Sequence, residues 1–178
     1  NYTTRAFISS SVTGSLADNT PLAKKLPFPV TVSDAASTYM QEYDYETACG
    51  ANGKPYFNGY ADLHFNLSHS GNFAVCIVAG MPCGIDIEGN RPFKPSVAKR
   101  FFSKTEYHWI YDTENVSVQA ERFFRLWTLK EAYAKATGNG IAAEIHAASY
   151  VPDTDSNGLC FADSETAAHF QIKEAAYD

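Results

Sequence analysis

Between Phe73 and Glu88 the sequence runs FAVCIVA, then GMPCG, then IDIE, and this stretch restricts the fold more than any other. The apolar, β-branched run has the composition of a strand. Gly80-Met81-Pro82-Cys83-Gly84 breaks it, because proline removes a backbone donor and glycine accepts turn geometry. Ile85-Asp86-Ile87-Glu88 then alternates apolar and acidic with period two. Successive strand side chains point to opposite faces, so Asp86 and Glu88 share one face and Ile85 and Ile87 the other. The stretch is expected to form an antiparallel hairpin.

Helical patterns follow. A helix is expected over residues 96–101, after Pro95. Ser103-Lys104-Thr105-Glu106 reads as a capping box that opens a second helix, reaching Tyr111. Residues 118–137 carry the longest helical pattern, ended by Gly138-Asn139-Gly140. Elsewhere the reading gives loop or weak strand over 1–30, a short helix over 33–43 and a turn at Asn52-Gly53. Strand pieces near 145–151 and 168–173 complete an α+β fold class.

The chain of 178 residues makes one compact unit, or two small halves sharing one core. Its 45 % apolar and 14 % aromatic content excludes a disordered chain. No apolar run approaches 18 residues, so no membrane partner is expected through a spanning helix. A net charge of −6 argues against a broad basic face for nucleic acid. Cys49, Cys76, Cys83 and Cys160 lack C-x-x-C spacing and read as buried or partly buried hydrophobes, which suits a reducing, cytoplasmic setting. The first residues show no secretory signal pattern.

The chemistry-bearing residues fall into three groups. Asp86 and Glu88 on one strand face repel each other; they are either a solvated polar face or ligands of a divalent cation, since Mg²⁺ takes oxygen donors. On the long helix Glu131 and Lys135 lie four residues apart, with Trp127 one turn earlier. They are either a surface ion pair or a further metal ligand with a phosphate clamp, to which Lys130 would add a second charge. Glu106 has a capping role of its own. Asn66-Leu67-Ser68-His69-Ser70-Gly71 is compact and polar, suited to holding an anion. A Ser-His nucleophile there lacks an acid partner. Lys54 places one cation beside the turn at Gly53.

Taken in order, Gly53-Lys54-Pro55, Phe65–Ser70, Gly84–Glu88, Ala98–Glu106 and Trp127–Lys135 resemble the motifs of 4′-phosphopantetheinyl transferases of the larger, surfactin-synthetase-activating type. The resemblance covers about residues 50–141. It implies a pseudo-dimer of two similar α+β halves, residues 1–82 and 83–178, with the active site in the cleft between them. Such enzymes move the phosphopantetheine arm of coenzyme A onto a serine of an acyl or peptidyl carrier protein and release adenosine 3′,5′-bisphosphate.

By that resemblance Asp86, Glu88 and Glu131 bind Mg²⁺, or Mn²⁺ in its place. Lys130 and Lys135 neutralise phosphate oxygens. Ser68 and His69 contact the phosphates of coenzyme A, and Lys54 with Pro55 lines its nucleotide end. Glu131, or a metal-bound water oriented by it, is the candidate base for the incoming serine, and Glu131, Lys135 and Lys130 form the catalytic set. Glu106 matches a family glutamate near the metal. Lys99, Arg100 and Lys104, interleaved with Phe101 and Phe102, are either a docking surface for an acidic carrier or a helix with one buried and one solvated face. Residues 1–45 do not align with the family's phosphate-holding N-terminal region; Lys24 and Lys25 are candidates by charge alone. The resemblance also implies further sequence at both ends, and a monomer. Two other functions fit parts of the pattern. One is a coenzyme A-binding remnant that no longer transfers; the other is a metal-dependent phosphohydrolase using the same carboxylates.

Overall fold

A computed structural model of the chain describes residues 2–10, 47–71, 73–89 and 91–177. The helix expected over 33–43, and Lys24 and Lys25, lie outside the described residues. β1 (Tyr2–Ser10) runs antiparallel to both β6 (Cys83–Gly89) and β9 (Phe170–Tyr177), so it is the central strand of the order β6-β1-β9. The other described strands form three two-stranded antiparallel pairs. They are β2 (Thr47–Cys49) with β3 (Pro55–Phe57), β4 (His64–Ser70) with β5 (Phe73–Ala79), and β7 (Tyr150–Pro152) with β8 (Leu159–Phe161).

The hairpin expected over 73–88 is corrected here. Both strands form, but β5 pairs with β4, while β6 pairs with β1. The apolar faces still meet: Val75 of β5 packs on Ile85 and Ile87 of β6, with Phe73 and Ile77 alongside. Gly80–Gly84 therefore carries the chain from one sheet to another. A period-two pattern sets the faces of a strand and leaves its partner open.

The helices follow local chemistry closely. α1 (Pro95–Phe101) has proline in its first turn, where the missing N–H costs nothing. α2 (Lys104–Tyr111) has the capping box: Ser103 Oγ accepts from Glu106 N at 3.2 Å, and Glu106 Oε2 accepts from Ser103 N at 2.7 Å. α3 (Val116–Thr137) starts at Asn115, whose side chain accepts from Ser117 N and Val118 N. It stops at Gly138, whose φ of +76° suits a residue without Cβ. Residues 145–151 are strand only at their end. They follow α4 (Ile141–Glu144), and β9 is preceded by α5 (Ser164–His169).

α3 organises the main core. Phe123, Leu126, Leu129, Ala132, Tyr133 and Ala136 are buried against Ile110 of α2 and against Tyr150, Leu159 and Phe161 of the β7–β8 hairpin. Arg125 ties α3 to β9 through two 3.0 Å contacts to the Glu174 carboxylate, and that carboxylate also accepts from Leu159 N. On its other side α3 lies directly on β6. A Cβ on Gly84 would stand 2.0 Å from Ala132 O and 2.5 Å from Ala136 N. Only glycine permits that approach. No helix among the described residues is long and apolar enough to cross a membrane.

All four cysteines are free. Cys83 is buried and Cys160 partly so, but Cys49 and Cys76 are exposed, contrary to expectation. Burial pushes the Cys83 thiol up to about 11, against the lowering effect of the Lys54 charge. At pH 8 its thiolate is then about one part in a thousand. Iodoacetamide at pH 8 should label Cys49 and leave Cys83 unmodified until the chain is denatured. Peptide mass spectrometry checks this, and equal labelling of both in the folded chain would contradict the burial.

Candidate active site

Three elements converge on one polar cluster. β6 presents Asp86 and Glu88, α3 presents Glu131 and Lys135, and β4 presents Ser68 and Ser70. The close approach at Gly84 sets the distance between β6 and α3. Asp86 is only 6 % exposed. Its Oδ1 accepts from Lys135 Nζ at 2.7 Å and from Ser68 Oγ at 2.7 Å. Its Oδ2 is buried with no hydrogen-bond partner among the described residues. Lys135 Nζ also donates to Ile85 O at 3.1 Å. Glu88 Oε2 accepts from Arg91 at 2.6 Å and from Ser70 Oγ at 3.4 Å.

The electrostatics are those of crowded carboxylates. Burial pushes the Asp86 carboxyl above its usual range; Lys135 and Ser68 oppose this, and Glu88 adds to it. Burial also raises Glu131, the Asp86 and Glu88 charges raise it further, and Lys135 opposes them. Lys135 thus opposes the shift of both Asp86 and Glu131. Among the described residues no three His, Cys, Asp or Glu side chains stand in a ready metal-holding group. The donor set nevertheless fits a hard divalent cation: Asp86, Glu88 and Glu131 all offer carboxylate oxygens, and Asp86 Oδ2 is a buried acceptor with no donor among the described residues.

Lys130 lies elsewhere, and its expected contact with phosphate is corrected by its surroundings. It is 1 % exposed, and its Nζ donates to Ile145 O at 2.9 Å and Ala148 O at 2.8 Å and pairs with Glu106 Oε1 at 3.2 Å. Three partners occupy all three N–H bonds of an ammonium group. Burial lowers the Lys130 pKa, and Glu106 resists that shift. Glu106 Oε1 also accepts from Tyr150 N at 3.0 Å, so this glutamate joins α2, α3 and β7 while capping α2. Removing one partner of a buried pair leaves an uncompensated charge. Lys130→Met should therefore cost about 3–5 kcal/mol in urea unfolding. A loss below 1 kcal/mol, roughly what exposed pairs contribute, would mean that the pair is not buried.

The other predicted residues divide. Ser68 joins the cluster through Asp86. His69 is exposed on the opposite face of β4, where the alternation of a strand sends it. Lys54 Nζ donates to Ala136 O at 2.8 Å and Cys83 O at 3.3 Å, clamping the end of α3 to the start of β6. Lys54, Pro55, Tyr56, His64, Phe65 and Gly138 line a pocket of about 320 Å³. Burial, then the Lys54 charge, lowers the His64 pKa, with Asp62 opposing, which favours the neutral imidazole. On the far side of the cluster, Glu88, Arg91, Phe93, Phe101, Trp127 and Glu131 line a groove of about 500 Å³. Lys54 and Pro55, expected at the nucleotide end, line the pocket; the aromatic groove is not marked in the sequence reading. Trp127 one turn before Glu131 was the available signal. Phe102 is buried in the core, so the exposed surface near α1 carries Lys99, Arg100 and Lys104 with Phe101 only partly covered.

Residues 82–177 match the 4′-phosphopantetheinyl transferase superfamily, which is more than half of the chain. A Bacillus subtilis 4′-phosphopantetheinyl transferase is 43 % identical over 93 residues, covering 52 % of this chain and 41 % of the relative. The Bacillus pumilus 4′-phosphopantetheinyl transferase psf-1 is 44 % identical over 107 residues, covering 58 % and 43 %. The Nostoc 4′-phosphopantetheinyl transferase HetI is 45 % identical over 107 residues, covering 57 % and 43 %. The matches thus span less than half the length of these relatives.

Proposed function

Because the chain belongs to the 4′-phosphopantetheinyl transferase superfamily, we propose that it transfers the phosphopantetheine arm of coenzyme A to a carrier-protein serine. The observation that carries this reading is the cluster of Asp86, Glu88, Glu131 and Lys135, in which the buried Asp86 Oδ2 has no hydrogen-bond partner among the described residues. Along α3 the groove residues Phe123 and Trp127 come first, Glu131 and Lys135 next, and the pocket residues Ala136–Gly138 last. Coenzyme A has the same order of parts. Its flat base suits the pocket of Pro55, Tyr56, His64 and Phe65, its pyrophosphate suits Lys135, and its arm suits the aromatic groove.

Asp86, Glu88 and Glu131 would hold Mg²⁺, which when bound supplies positive charge against the pyrophosphate. The incoming serine Oγ bonds to the β-phosphorus, and the bond from that phosphorus to the leaving adenosine 3′,5′-bisphosphate breaks. Glu131, or a water that it orients, takes the serine proton. Lys135 stabilises charge on the phosphate oxygens. Lys130 acts by fixing α3 through Glu106. Lys99, Arg100 and Lys104 suit an acidic carrier. We read residues 1–82 and 83–178 as two related halves flanking the site, acting as a cytoplasmic monomer.

The test is intact-mass analysis of an apo carrier protein incubated with the chain, coenzyme A and Mg²⁺, against an EDTA control. A metal-dependent gain of one phosphopantetheine arm on the carrier serine is the expected result. Tight coenzyme A binding by a folded chain, with no gain on several carriers, would replace this reading with a binding remnant. Coenzyme A cleavage without a carrier would replace it with a phosphohydrolase.

A further inference from the structure

Two cationic side chains pair with the carboxylates of β6, and they are held differently. Lys135 Nζ is fixed both by Asp86 Oδ1 and by the backbone oxygen of Ile85, and its side chain is 27 % exposed. Arg91 Nη1 donates to Glu88 Oε2 at 2.6 Å, but the Arg91 side chain is 55 % exposed, against 18 % for Glu88. The guanidinium carbon also stands 4.9 Å from the centre of the buried Phe124 ring. Arg91, Glu88, Phe124 and Glu131 all line the aromatic groove.

We propose that Arg91 is an exchangeable counter-ion: it neutralises Glu88 while the site holds no divalent cation, and it leaves Glu88 when one binds. The inference rests on the reading of Glu88 as a cation ligand. A divalent ion on Glu88 and a guanidinium bonded to the same carboxylate have the same sign and repel. The cation held less firmly then withdraws. Arg91 is that cation. Water already reaches more than half of its side chain, and an exposed ion pair contributes little. The Phe124 ring holds the guanidinium beside the groove without help from Glu88. Lys135 has no such freedom, because a backbone oxygen and a buried carboxylate both hold it. Uptake of the ion is therefore an exchange, and its affinity is lower than the same carboxylates would give without Arg91.

Calorimetric titration of Mn²⁺ into the wild type, Arg91→Ala and Lys94→Ala tests the exchange. Lys94 lines the same groove and makes no ion pair among the described residues, so it controls for the loss of a nearby positive charge. Arg91→Ala should bind Mn²⁺ about 2–5-fold more tightly than the wild type, the worth of an exposed ion pair. Lys94→Ala should bind it as the wild type does. Thermal unfolding checks that each variant is folded. Phenylglyoxal, which modifies free guanidinium groups, reads the release directly: peptide mass spectrometry should find Arg91 modified several times faster with Mn²⁺ than in EDTA. Equal modification rates would mean that Glu88 holds the ion and Arg91 together. Unchanged or weaker Mn²⁺ binding in Arg91→Ala, or equal tightening in both variants, would leave Arg91 a support of the site or a general charge. Each of these results overturns the exchange and leaves the cation reading intact. A wild type that takes up no Mn²⁺ would overturn both.

Discussion

Gly84→Ala should destabilise the chain by at least about 3 kcal/mol, the upper end of the usual cost of overpacking. Its methyl group would fall 2.0 Å from Ala132 O and 2.5 Å from Ala136 N. Both are backbone atoms of α3, so no side chain can rotate away. β6 must lift off the helix or the helix must bend. Either movement separates Asp86 from Lys135, which are 2.7 Å apart. The variant should thus lose fold stability and the polar cluster together. Urea unfolding measures the first, and Mn²⁺ titration of the remaining folded chain measures the second. A midpoint equal to the wild type's would show that β6 and α3 do not make this contact.

Glu131→Gln should lower the rate of transfer to an apo carrier by about 100-fold or more, the usual range for a lost general base. It should do so without weakening the cation-free fold. Asp86 and Glu131 both have carboxyls held above their ordinary values, burial being the main cause for each. A raised carboxyl favours the folded chain below its unfolded pKa and loses that advantage as pH rises through the folded value. At neutral pH the crowded charges therefore oppose folding. Removing one should raise the melting temperature by about 2–4 °C for each kcal/mol relieved. The same substitution should flatten the fall in stability between pH 4.5, the ordinary glutamate value, and neutrality. A melting temperature well below the wild type's would show that Glu131 supports the fold. Wild-type turnover would remove it from the proposed mechanism.

What the sequence disclosed depended on the range of the interaction. The capping box at Ser103 and Glu106 is written within four residues, and both of its bonds form. The stop of α3 at Gly138 is equally local. The faces of β6 followed from alternation, but its partner did not, because strand pairing is decided by segments far apart in the chain. The pairing of Lys130 and Glu106 was missed for a different reason. The charge of Lys130 and its place beside Glu131 suggest a phosphate contact. Of its four helical neighbours at three and four residues' distance, Leu126, Tyr133 and Ala134 are buried and Trp127 is partly so. That apolar setting was legible and outweighed the charge. The alternation of Asn66, Ser68 and Ser70 against Leu67 and His69 is also legible, and it marks a strand in the segment read as a compact polar stretch suited to an anion.

β4 and β6 share no backbone ladder among the described residues and meet through side chains: Asn66 Oδ1 accepts from Ile85 N at 2.9 Å, and Ser68 and Ser70 reach Asp86 and Glu88. This seam has a consequence for how such a site changes over generations. A backbone ladder is the same for every sequence that can form it, so point substitution adjusts it little. The contacts at Asn66, Ser68 and Ser70 are each encoded by one codon. Lengthening, shortening or removing a side chain there moves Asp86 or Glu88 relative to α3 while the main sheet keeps its register. The spacing of the carboxylates is therefore heritable in small steps, separately from the fold that carries them.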